Sequence, residues 1–88
     1  MSGFVLGENE VNDFGYKLLA EGEQKEALKI FKLNIELYPQ SGNAYDSYAE
    51  TLAGLGYRKE AIKSYKRAFE LNPKNIKAQD QAKKLASL

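Results

Sequence analysis

The chain nearly repeats itself every 34 residues, and that period constrains it more than any other feature. Gly22, Lys25, Glu26, Ala27, Lys29, Lys32, Glu36, Leu37 and Pro39 recur as Gly56, Lys59, Glu60, Ala61, Lys63, Lys66, Glu70, Leu71 and Pro73. Asn9 and Leu18 recur as Asn43 and Leu52, which makes 11 identities between windows 8–39 and 42–73. A period of this length belongs to a stacked supersecondary unit, in which each copy buries its apolar face against the next.

The unit is helical. Val11, Phe14, Gly15, Leu18 and Leu19 follow i, i+3, i+4, i+7, i+8 spacing, one stripe of an amphipathic helix. Gly22 ends it, since glycine accepts the left-handed conformation beyond a helix C-terminus. Ala27, Leu28, Phe31, Ile35 and Leu37 form a second stripe, stopped by Pro39. Ser41 stands at an N-cap position before a third helix carrying Ala44, Tyr45, Tyr48, Ala49 and Leu52, which ends near Gly54-Leu55-Gly56. A fourth helix carries Ala61, Ile62, Tyr65, Ala68, Phe69 and Leu71 up to Asn72-Pro73. Asn75 is the next N-cap, before a fifth helix with Ile76, Ala78, Ala82, Leu85 and Ala86. No segment alternates like a strand, and the short loops make neighbouring helices antiparallel. Residues 1–7 read as a lead-in segment or cloning remnant, and 8–88 as one domain: repeat 1 at 8–41, repeat 2 at 42–75 and a capping helix at 76–88.

Composition removes several function classes. With 88 residues there is room for one small domain with a modest core. The chain has neither Cys nor His, so it lacks disulfides, thiolate metal sites, the commonest general base and the commonest zinc ligand. No apolar run reaches the roughly 20 residues of a membrane span. The N-terminus lacks the basic region and long apolar stretch of a signal peptide, so a cytoplasmic location is the default expectation. A net charge of +1 argues against a dedicated nucleic-acid binder. The charge is unevenly spread: residues 1–44 carry a net −3 and residues 45–88 a net +4. The basic excess, including Arg58, Lys59, Lys63, Lys66, Arg67, Lys74 and Lys77, is interspersed with Glu60, Glu70 and Asp80, as on a solvated helix face.

Catalytic arrangements are missing. Ser64-Tyr65-Lys66-Arg67 approaches a Ser-x-x-Lys spacing, but the fourth residue is an arginine, which stays protonated and cannot act as a base. There is no Gly-x-Ser-x-Gly elbow. Gly54-Leu55-Gly56 follows no strand and precedes no Lys-Ser or Lys-Thr, so it is not a phosphate loop. Asp46 and Glu50 lie one helical turn apart but have no further ligands for a metal. A non-enzymatic chain without cofactor, metal or catalytic residues is expected.

The two copies resemble the tetratricopeptide repeat, a helix–turn–helix unit of 34 residues. The resemblance covers about residues 8–73. The large–large–small–large signature of the family's first helix falls on Val11, Phe14, Gly15 and Leu18, then on Tyr45, Tyr48, Ala49 and Leu52. The second-helix signature falls on Ala27, Phe31 and Pro39, then on Ala61, Tyr65, Ala68 and Pro73. The small residues stand where paired helices approach closely, and Phe31 and Tyr65 are expected between one repeat and the next. The resemblance implies an all-α fold: two tandem helix–turn–helix units and a capping helix, five helices in a right-handed α-solenoid. The chain departs from the pattern in two ways. Gln24 and Arg58 replace an aromatic before Glu-Ala, and Asn34 stands where Ala68 stands in the second copy. A buried Asn34 is expected to bond across to the third helix; the alternative is partial exposure. The run from Leu33 to Asn75 also resembles the repeat segment that follows some bacterial serine hydrolase domains.

The resemblance implies a protein-interaction module. In the family the first helix of each unit lines a concave groove that holds partner segments. The corresponding places here are Asn9, Asn12, Tyr16 and Leu19, then Asn43, Asp46, Ser47 and Glu50, with Lys77 from the capping helix. Asp13, Ala20, Ala53, Asp80 and Lys84 occupy neighbouring places. This surface is polar and mildly acidic and suits a partner segment with basic and amide groups. Asp46 and Glu50 would repel the carboxylate that one subset of the family clamps at chaperone C-termini. Two repeats make a short groove. Either Phe4-Val5-Leu6 and the fifth helix cover its ends, or another surface does, and the competing expectation is then an assembly or accessory domain: a homodimer packed end to end, or a segment docked on an attached hydrolase domain.

Overall fold

A computed structural model describes residues 7–88. They form α1 (Glu8–Ala20), α2 (Gln24–Leu37), α3 (Gly42–Gly54), α4 (Arg58–Leu71) and α5 (Ile76–Ala86). Each helix packs on its chain neighbours, and α1 also touches α3. The result is an all-α helical-repeat solenoid with extents of 52 × 29 × 16 Å. The Phe4-Val5-Leu6 segment lies outside the described residues.

The repeated identities act first at the helix ends. Gly22 and Gly56 take φ of 81° and 89°. After α1, Glu23 N–H donates to Leu18 O at 2.8 Å and Gly22 N–H to Leu19 O at 3.0 Å. After α3, Tyr57 N–H donates to Leu52 O at 2.9 Å and Gly56 N–H to Ala53 O at 3.1 Å. This paired closure uses the otherwise orphaned carbonyls of the last turn, and a side chain at the glycine would strain it. Ser41 and Asn75 cap α3 and α5 by accepting the N–H of Ala44 at 3.0 Å and of Ala78 at 3.1 Å. Pro39 and Pro73 stand two residues beyond α2 and α4, where no helix can continue.

The core is built largely from alanine. Ala27, Ala44, Ala49, Ala61, Ala68 and Ala78 are completely buried, so the helix axes approach closely. Tyr65 joins Ala49 of its own hairpin to Ala78 and Ala82 of α5, as expected of a residue between units. Phe31 is fully buried beneath Gly15 and meets Tyr16 edge-on at 5.2 Å, so its recorded neighbours lie within its own hairpin.

Three expectations need correction. Asn34 is 0% exposed and does not bond to α3. Its Nδ2 donates to Glu8 O at the start of α1, 3.2 Å away, and its Oδ1 has no partner. Phe14, counted in the apolar stripe of α1, is 48% exposed. Its counterpart Tyr48 is more buried because α3 has a preceding hairpin to pack against. Leu37 and Ile76 are likewise about half exposed, at helix ends where the neighbouring helix no longer covers them.

Candidate functional site

The odd-numbered helices bring most of the expected groove positions together. Tyr16 on α1 reaches over to α3, where its hydroxyl donates to Glu50 Oε1 at 2.7 Å and lies 3.3 Å from Ser47 Oγ. At the start of the same pair, Asn43 Nδ2 donates to Glu8 Oε2 at 3.4 Å. Asp46 lies within electrostatic reach of Glu50 on its own helix and of Lys77 on α5. Polar contacts therefore run from α1 across α3 to α5.

Accessibility divides these residues. Asn9, Tyr16, Asn43, Glu50 and Lys77 are exposed, whereas Asn12, Leu19 and Asp46 are half-buried. Ser47 is only 2% exposed, so its hydroxyl serves the internal contact with Tyr16 rather than an open surface. Asn12 Oδ1 and Asp46 Oδ1 are buried without a hydrogen-bond partner.

The electrostatics are those of a partly dry acidic face. Burial pushes the Tyr16 hydroxyl up to about 12; the contact with Ser47 opposes the rise, and the bond to Glu50 and the charges of Glu50 and Asp46 add to it. Burial also raises Asp46 above its ordinary value, and the Glu50 charge adds to the rise; Lys77 and a hydrogen bond from Asn75 oppose it. Tyr65, beneath the same face, is pushed up to about 12 by burial and then by Asp46 and Glu50. Burial is the leading cause of each shift and penalises charge of either sign; the smaller part that comes from Glu50 and Asp46 is what disfavours an added carboxylate.

Glu8 was missing from the sequence-based set. It holds Asn43 through its carboxylate and Asn34 through its carbonyl. Its place at the start of α1, one period before Gly42, offered no sequence signal for either contact. Among the described residues there is no group of three or more His, Cys, Asp or Glu side chains suited to a metal. Among the same residues, no helix is long and apolar enough to cross a membrane.

Residues 42–75 match the family model of the tetratricopeptide repeat. The matched stretch runs from the first residue of α3 to the N-cap of α5, one full period. The match covers 34 of the 88 residues and supports the tetratricopeptide repeat family, whose repeats generally mediate protein–protein interaction and are typically non-catalytic. The first hairpin lies outside the matched residues, although it repeats 11 residues of the second and folds in the same way. A search of curated proteins returned no match.

Proposed function

We propose that this chain is a non-catalytic interaction module that holds a basic or amide-rich partner segment along the face of α1, α3 and α5. The observation that carries this reading is the Tyr16–Glu50 contact, which joins corresponding positions of two successive units into one surface. The proposed contacts are Asn9, Asn12, Tyr16 and Leu19 on α1, Asn43, Asp46 and Glu50 on α3, and Lys77 on α5. Ser47 contributes by positioning Tyr16. The aromatic ring offers apolar area next to the carboxylates, which suits Lys or Arg stems as well as their charges. Domain limits follow the period, with units at 8–41 and 42–75 and the closing helix beyond.

Selection from a random peptide library on the immobilised chain tests this. Bound peptides should be enriched in Lys and Arg, and Tyr16→Ala/Glu50→Lys should abolish their retention. Peptides with acidic C-termini binding equally well would overturn the reading. A second reading, an accessory segment of a serine hydrolase, rests on the resemblance of the 33–75 run; a hydrolase domain in the same open reading frame is its test.

A further inference from the structure

The two ends of the solenoid differ in shape and charge. At one end, α1 turns Glu10, Asp13, Phe14 and Lys17 outward, and all are exposed. One period later, the places of Glu10, Phe14 and Lys17 hold Ala44, Tyr48 and Thr51, and two periods later Ala78, Ala82 and Leu85. Ala44, Thr51, Ala78 and Ala82 are buried. Among the described residues, the Phe14 face of α1 thus corresponds to the packing face of α3 but is exposed, and it carries Glu10 and Asp13 beside Lys17.

At the other end a cleft of about 400 Å³ opens between α4 and α5, lined chiefly by Lys66, Phe69, Ala82, Lys83 and Ala86. Its origin is legible in the period. Where α3 carries Tyr48 and Leu52, α5 carries Ala82 and Ala86, and the missing side-chain volume leaves the gap. Gly15 and Ala49 are the small residues at which α1 and α3 accept α2 and α4. The equivalent place on α5 holds Lys83, so a third hairpin helix would not find that close approach. The cleft therefore suits an inserted side chain flanked by carboxylates. Glu70, also on its rim, is engaged by Arg67 at 3.2 Å, which leaves Lys66 and Lys83 to set the local charge.

We propose that copies of this chain associate head to tail, with Phe14 of one copy entering the α4–α5 cleft of the next and Glu10 and Asp13 facing Lys66 and Lys83. The net −3 of residues 1–44 and net +4 of residues 45–88 favour this polarity over any pairing of like ends. The contact joins two different patches, so it generates open chains or rings rather than closed pairs. Of the α1–α3–α5 face, only Asp13 at its edge takes part in it.

Sedimentation velocity on the purified chain tests the proposal. Average mass should rise with protein concentration at low salt and fall as salt screens the contact. Glu10→Lys/Asp13→Lys and Lys66→Glu/Lys83→Glu should each weaken self-association about tenfold or more. An equimolar mixture of these two variants should associate again, because each then offers ends complementary to the other. Phe14→Ser, at an exposed position, should weaken association while circular dichroism stays unchanged. A monomer at every concentration in low salt would overturn the proposal, as would association that ignores both charge reversals.

Discussion

Tyr16 Oη donates a 2.7 Å hydrogen bond to Glu50 Oε1, joining two residues that occupy the same place in successive repeats, 34 positions apart. The period that stacks the hairpins therefore also sets a lateral contact, and it does so where the two repeats differ. A tyrosine in both units could not form this charge-assisted bond, and two glutamates would repel. Tyr16→Phe keeps the ring on Phe31 and removes only the hydroxyl, so it should lower unfolding free energy by about 0.5–1.5 kcal/mol. A double-mutant cycle with Glu50→Gln in urea should show coupling; strict additivity would mean that the bond contributes nothing.

Gly15 is required by Phe31. A Cβ at Gly15 would overlap the Phe31 ring, which is fully buried and held edge-on against Tyr16. Helix propensity alone favours Gly15→Ala by up to about 1 kcal/mol, whereas overpacking costs about 1–3 kcal/mol. The clash should win, with a net loss near 1 kcal/mol. In a Phe31→Leu background the same change should become neutral or favourable, and thermal melts of the four proteins check both signs.

Asn34 should be cheap to replace despite its complete burial. It makes one recorded hydrogen bond and leaves Oδ1 unpartnered, and the next repeat has Ala68 in its place. Removing an unsatisfied amide oxygen offsets the lost bond and the small cavity. Asn34→Ala should change stability by less than about 1 kcal/mol, against about 3–5 kcal/mol for Phe31→Ala. Urea denaturation compares them directly.

The burial of Asp46 gives stability a pH dependence whose sign follows from its raised value. Its folded value lies above 3.8, chiefly through burial, so the folded chain holds this proton more tightly than the unfolded chain. Its favourable contribution is complete below the unfolded value and is lost as pH rises through the raised folded value. Asp46→Asn removes that titration. The variant should gain stability over the parent at neutral pH and lose this advantage in acid below the ordinary carboxylate range. Parallel melts across that range check the crossover; a constant difference would assign the effect to something other than ionisation.

The fold was legible because its signals are local and occur twice. Gly22 with Leu18 and Gly56 with Leu52 are the residues that close α1 and α3, and Ser41 and Asn75 are the caps. Asn34 and Phe14 were misread because their surroundings depend on which helix lies next to them in space. The period gives the place of Asn34, but only the packed hairpin brings Glu8 O to it. Phe14 has the right spacing for burial, but among the described residues no helix packs before α1 as α2 packs before α3. Of the candidate face, the positions could be read from the sequence. The burial of Ser47 and the contacts made by Glu8 could not, because they depend on how α1 packs against α2 and α3.

The central claim is that the α1–α3–α5 face reads a basic segment. Amide chemical-shift mapping of the isotopically labelled chain, titrated with a Lys/Arg-rich peptide selected on it, tests this most directly. The account predicts that perturbations concentrate at Asn12, Tyr16, Asn43, Asp46, Glu50 and Lys77 and weaken in Tyr16→Ala/Glu50→Lys. Perturbations centred on the outer faces of α2 and α4, unchanged in that variant, would contradict it.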